Sequence, residues 1–135
     1  MTIREVELSK TMQVGDILLA SWGYEANISD FYRVIKRTAT TVTVEKLKSQ
    51  VVGLGDFYDA RRIMPTDEVA TERNYHIDGD IWEPIVLKRK IKTNVIQSWN
   101  GLLGDYEITR EYIQPNDYTY AHVWDGTEQI DYNHH

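Results

Sequence analysis

"VGDILLASWGYEANISDFYRVIKR" runs from Val14 to Arg37, and its reading decides the fold class. Its first half, Asp16 to Trp22, is short, nearly continuously apolar and preceded by Gly15. That is the pattern of a buried strand. At a period of two, Leu18, Ala20 and Trp22 share one face, and Ile17, Leu19 and Ser21 share the other. Both faces are largely apolar, so this strand is expected to be central or covered on both sides. The second half, Ser29 to Thr38, is rich in aromatic and β-branched residues and reads as the next strand. Trp22 and Phe31 are expected in the core. Tyr24, which follows Gly23 at the strand end, is expected at the rim, where small barrels often bind through aromatics, and Tyr32 is open to either core or rim.

Outward from that stretch, the Thr38-Ala39-Thr40 link predicts a tight hairpin into Thr40 to Lys48. There Val42 and Val44 alternate with Thr41, Thr43 and Glu45. Arg62 to Met64 adds a strand beyond Gly53 and Gly55. Glu83 to Lys92 reads as another, with Val86, Lys88, Lys90 and Lys92 on one face and Leu87, Arg89 and Ile91 on the other. Tyr118 to Gly126 reads as the last, ended by the Asp125-Gly126 turn signal. Thr66 to Asn74 carries capping residues and early acids, which predict one or two helical turns. Thr93 to Gly104 is ambiguous: Val95, Ile96 and Trp99 have helical spacing and Gly101 is a stop signal. The expected fold is mainly β, a small antiparallel SH3-like barrel or roll with one or two short helical turns.

The chain has 135 residues, the size of one ordinary domain, so residues 1–135 are read as a single β-rich unit. It has no cysteine, which excludes disulfides, thiolate zinc sites and cysteine nucleophiles. No stretch approaches the roughly 20 apolar residues of a membrane span. The opening, Met1 to Lys10, is charged and lacks the apolar segment of a signal peptide. A soluble, cytoplasmic protein without a membrane partner is expected.

The formal net charge is −6, unevenly placed. Residues 31–63 carry seven bases and three acids, and residues 86–99 carry four bases and no acid. Residues 64–85 carry six acids and one base, and residues 100–135 carry seven acids and one base. The basic stretches suggest a surface for single-stranded nucleic acid, with Arg33, Arg37, Lys46 and Lys48 on phosphates and Tyr24 and Tyr32 stacking on bases. The acidic, tyrosine-rich C-terminal third suggests a protein interface at Asp105, Tyr106, Glu107, Glu111 and Tyr112. The bland alternative to both is a solvated surface.

Catalytic signals are thin. His76, Asp78 and Asp80 have the i, i+2, i+4 spacing of metal ligands on one strand face, the basis for a metal-dependent hydrolase as the weakest alternative. Asp78-Gly79 is also a turn signal, and a turn breaks the common face. His122 alternates with Tyr120 and Trp124 and reads as a hydrogen-bonded strand residue; His134 and His135 close the chain. There is no nucleophile elbow and no phosphate-cradling glycine loop, since Gly53 and Gly55 are not followed by Lys-Ser/Thr. No catalytic residue, metal or cofactor is assigned.

Residues 14–44 resemble the opening of a family of small, largely uncharacterised proteins from bacteriophage and other mobile elements. The shared features are a Gly-Asp-Ile-Leu strand (Gly15–Leu18), a Ser-Trp-Gly-Tyr step (Ser21–Tyr24), an Asp-Phe-Tyr strand (Asp30–Tyr32) and a Thr/Val-rich strand. The family's closing Trp-Asp-Gly is matched by Trp124, Asp125 and Gly126. Asn27-Ile28-Ser29-Asp30 departs from the family's tighter Asn-x-Asp spacing, and residues 93–116 look like an insertion. The resemblance implies a compact β-rich phage accessory protein and no known reaction. The expected function is non-enzymatic binding of a host or phage protein, with nucleic-acid binding as the alternative.

Overall fold

The computed structural model describes residues 11–22, 26–55, 60–76, 79–100 and 104–133. They form eleven strands: β1 Ile17–Trp22, β2 Ala26–Arg37, β3 Thr41–Leu54, β4 Arg61–Val69, β5 Thr71–His76, β6 Gly79–Pro84, β7 Val86–Lys90, β8 Lys92–Asn100, β9 Gly104–Ile113, β10 Ala121–Val123 and β11 Gln129–Asn133. Nine make one curled antiparallel sheet, a half-barrel in the order β7-β3-β4-β11-β2-β1-β10-β9-β8, with β2 also paired to β3; β5 and β6 pair apart.

The β1–β2 register sets Leu18 opposite Tyr32 and Leu19 opposite Phe31, so neighbouring residues of β1 face opposite sides of the sheet. Each side has its own core. Leu18 and Ala20 join Met12, Tyr32, Val34, Val42, Val44, Ile113 and Ala121 in the larger one. Leu19 joins Phe31, Leu47 and Ile63 in the smaller one, with Ile17, Val69 and Trp124 at its margin. The two apolar faces read from "ILLA" thus become two cores. The Val42/Val44 alternation and the tight link are both present; Thr38 donates its N–H to the Thr41 carbonyl.

Curling seals the larger core by side chains. Arg37 on β2 reaches Glu111 on β9, and Arg89 on β7 donates to the carbonyls of Gln114 and Pro115 beyond β9. The smaller core sits at a closed circuit of pairings, β2 to β3, β3 to β4, β4 to β11 and β11 back to β2.

Along one edge of β3, β7 pairs with its first half and β4 with its second, both antiparallel. Between them the chain leaves at Ala70 and returns at Ile85. These two residues bond each other and share Lys46: the Lys46 N–H donates to Ile85, and Ala70 donates to Lys46. The β5–β6 ribbon is therefore spliced into what would otherwise be one long strand. A second, longer ribbon is β8–β9, whose strands pair from Lys92–Tyr112 to Asn100–Gly104; β9 meets β10 only at Tyr112 and Ile113.

Three expectations need correction. No helical turn forms in either predicted place among the described residues; Thr66–Asn74 lies in β4 and β5, and Thr93–Asn100 lies in β8. Thr66 hydrogen-bonds the Lys48 carbonyl across the sheet and Val95 is exposed, so neither residue joins a core-facing helical stripe. Tyr32, expected to stack on bases, is not at the rim but 5% exposed in the larger core, and burial, reinforced by Asp30, pushes its hydroxyl pKa up to about 12. Tyr118–Gly126 is not the final strand: only Ala121–Val123 pairs, and β11 follows the turn where Gly126 has φ +91°. The insertion-like stretch 93–116 is mostly the β8–β9 ribbon.

Candidate functional site

The residues singled out as nucleic-acid contacts are strand residues whose cations are each matched by a carboxylate. Arg33 donates through Nε to Glu45 at 2.8 Å, directly across the β2–β3 ladder. Lys46 lies 3.5 Å from Asp30, whose other oxygen accepts the Trp22 indole N–H at 2.7 Å. Lys48 lies 3.3 Å from Glu68 at the surface. Arg37 makes the densest contact: it donates to both Glu111 oxygens and, at 2.6 Å, to the Met12 carbonyl. Glu111 in turn accepts the Met12 N–H at 2.7 Å. That hydrogen bond from Arg37 holds the Glu111 carboxyl below the ordinary carboxylate range, against the opposing effect of burial. Tyr32 is buried and Tyr24 lies outside the described residues. Among the described residues, the exposed cations of β2, β3 and β7 without an ion-pair partner are Lys36, Lys88 and Lys90. Lys36 and Lys88 both face Thr43. β7 is a sheet edge, where lysines discourage pairing with another chain.

Of the acidic and tyrosine candidates, Glu111 and Tyr112 are the two whose side chains are described. Asp105, Tyr106 and Glu107 sit in β9 opposite Trp99, Ser98 and Gln97; their side chains lie outside the described residues. Glu111 turns inward to Arg37 and Met12. Tyr112 faces His122 across the β9–β10 ladder and meets the Tyr120 ring edge-on at 5.5 Å. His76 and Asp80 fall on different rungs of the β5–β6 ribbon, opposite Gly79 and Tyr75, and Asp78 lies outside the described residues. Gly79, at φ +122°, adopts a conformation that favours glycine where the ribbon turns back.

What sequence reading passed over is the ribbon itself. Trp82 is 65% exposed and Ile81 48% exposed on adjacent positions of β6, and Thr71, Glu72 and Arg73 on β5 are exposed too. Six residues of strand reach roughly 20 Å. Among the described residues the β5–β6 ribbon pairs with no other strand, which leaves its two outer backbone edges outside any ladder. The available signal was a tryptophan beside a proline, Trp82 and Pro84, in a segment with six acids and no apolar partner run.

The chain matches no family model, no curated protein and no solved structure. No helix long and apolar enough to cross a membrane occurs among the described residues.

Proposed function

We propose that this chain is a non-enzymatic accessory protein of a bacteriophage or other mobile element that binds a protein partner through the β5–β6 ribbon. The exposure of Trp82 on a two-stranded ribbon carries this reading. A large indole left in water on an extended, unpaired ribbon is a poor use of apolar surface for folding and a good anchor for a partner. The ribbon's outer strand edges add main-chain hydrogen bonds to such an anchor. The spliced geometry fits the role. β3 holds β4 and β7 at both roots of the ribbon, so the anchor is carried on a rigid base rather than a loose loop. The body is read as an SH3-like roll elaborated by two ribbons, on the strength of its β1–β2–β3–β4 meander and of β11 closing onto β2. A host-cell setting for the partner follows from the phage-like opening.

Nucleic-acid binding through Arg33, Arg37, Lys46 and Lys48 is the weaker reading, because each of these charges already faces a carboxylate. Affinity capture from host lysate with the wild type and with Trp82→Ala/Ile81→Ser tests the proposal. Both baits are first shown to melt at the same temperature. One protein retained in stoichiometric amount by the wild type and lost to the variant supports the ribbon. Equal retention, or a retained species that is nuclease-sensitive nucleic acid, overturns it.

A further inference from the structure

Two depressions adjoin on the outer face of β1, β10 and β9, well apart in sequence from the ribbon at Trp82. One, of about 480 Å³, is lined by Ser21, Asn94, Arg110, Tyr112, Tyr120 and His122. The other, of about 430 Å³, runs past Leu19 and Trp124 to Asp125 and Thr127. Arg110 and His122 line both, so the two form one trough with these side chains at its waist. The register explains the meeting: Leu19 faces His122, His122 faces Tyr112, and Arg110 faces Asn94 near the root of the long ribbon.

Arg110 is the anomaly in this trough. It is the single base among residues 100–135, a stretch with seven acids, yet it has no ion pair among the described residues. Its Nε is buried with no hydrogen-bond partner. A guanidinium stays charged at any ordinary pH, and leaving one of its N–H groups dry and unpaired is unfavourable. The groups around it are mostly neutral donors and rings. Tyr112 and Tyr120, edge-to-face with each other, line the trough with it. Burial, helped by Arg110 and opposed by Asp125, lowers the proton affinity of His122. Asp125 is the one acid lining the trough; it acts on His122 electrostatically, and its Oδ1 accepts from the Thr127 N–H and hydroxyl.

We propose that this trough is an anion-binding site, in which Arg110 receives the carboxylate or phosphate of a small ligand whose flat apolar part lies against Tyr112 and Tyr120. The ligand supplies the charge partner that Arg33 and Arg37 obtain from Glu45 and Glu111 within the chain. A planar acid fits the donors: the guanidinium fork matches two oxygens at once, and the tyrosine rings cover a flat body. The site is separate from the ribbon, so its failure leaves the proposed function standing.

The test is an NMR titration of the full chain labelled with ¹⁵N, at low ionic strength, following the Arg110 Nε–Hε and His122 ring signals. Phenyl phosphate and phenylacetate are the two anionic probes, and benzyl alcohol is the neutral probe of similar shape. Saturable shifts at Arg110 with either anion, and none with benzyl alcohol, support the site. Which anion responds tells whether the ligand class is a phosphate or a carboxylate. Arg110→Gln should weaken binding about tenfold or more, as expected when a charged donor is lost. Tyr120→Ala, at an exposed position, should weaken phenyl phosphate while leaving inorganic phosphate unchanged. An unmoved Arg110 signal in the wild type overturns the proposal whether or not Arg110→Gln folds. So does a response to benzyl alcohol equal to that of the anions.

Discussion

Arginines on β2 and β9 stand in opposite situations. In the β2–β3 region, Arg33 and Arg37 each hold a carboxylate, as do Lys46 and Lys48 of β3. On β9, Arg110 holds none among the described residues. Local sequence charge points the other way. Residues 31–63 carry seven bases against three acids, and residues 100–135 carry one base against seven acids. Five of the seven bases in the basic stretch are nevertheless matched, because Asp30, Glu68, Glu111 and Glu128 come to it from elsewhere in the chain. The lone base of the acidic stretch is left alone, because the acid beside it, Glu111, points to the opposite face of β9 and is held by Arg37. Free charge is thus a property of the folded sheet, and a run of one sign does not report it.

The contrast breaks most visibly at Arg37. Glu111→Ala removes the acceptor for both Arg37 and the Met12 N–H, at a site where Met12 is fully buried. Urea denaturation should show a loss of about 2–3 kcal/mol, because a part-buried arginine loses its carboxylate and a backbone donor loses its acceptor. A loss no larger than that of a surface substitution would mean the clamp does not hold the structure together.

The same clamp has a pH signature. The folded Glu111 pKa lies below its unfolded value, so its contribution is complete above the ordinary carboxylate range and is lost as pH falls through the depressed value. Below about pH 5, the wild type should therefore lose stability more steeply than Glu111→Gln. Parallel pH profiles would remove Arg37–Glu111 from the paired class.

Arg110→Met should behave unlike Arg37→Met. It orphans no partner and removes a dry N–H, so its stability should lie within about 1 kcal/mol of the wild type, or above it. A loss equal to that of Arg37→Met would show that Arg110 has a partner after all. The smallest effect is expected at Lys48→Ala. Its side chain and that of Glu68 are 55% and 73% exposed, so thermal melts should shift by no more than about 0.5 kcal/mol, and less in high salt.

Much of the body was legible because it obeys a period of two with few competitors. The alternation of Val42 and Val44 lies in β3 with both valines buried. The odd and even positions of Val86–Ile91 separate into exposed and half-buried residues, as the pattern implies. Phe31 is fully buried as expected, but Trp22 is not a core residue: it is half-buried outside both cores, with its indole N–H on Asp30 and its ring edge-on to the exposed Tyr118. The predicted helical turns failed for one shared reason. Capping residues and a single i, i+3, i+4 triplet are weak local preferences, and β3, β6 and β9 each offered a ladder of backbone hydrogen bonds instead. Tyr32 is core rather than rim because its face, shared with Leu18 and Val44, became the enclosed side of the curl.

The candidate sites were the least legible. Arg33, Arg37, Lys46 and Lys48 were visible as charge, but their partners lie 12, 74, 16 and 20 residues away in sequence. Trp82 was visible as an aromatic, but its exposure depends on the splice between Ala70 and Ile85.

By itself, the order of residues determined that this chain makes antiparallel strands, that β1 is apolar on both faces, and that no cysteine chemistry is available. These follow from side-chain type and alternation, which act over a few residues. Tertiary structure alone decided which cations are matched, which aromatics meet water, and that Arg110, His122, Tyr112 and Tyr120 share one trough. Those outcomes depend on how far the sheet curls and which strands become neighbours. Both are set by the packing of two cores against each other, not by any local stretch.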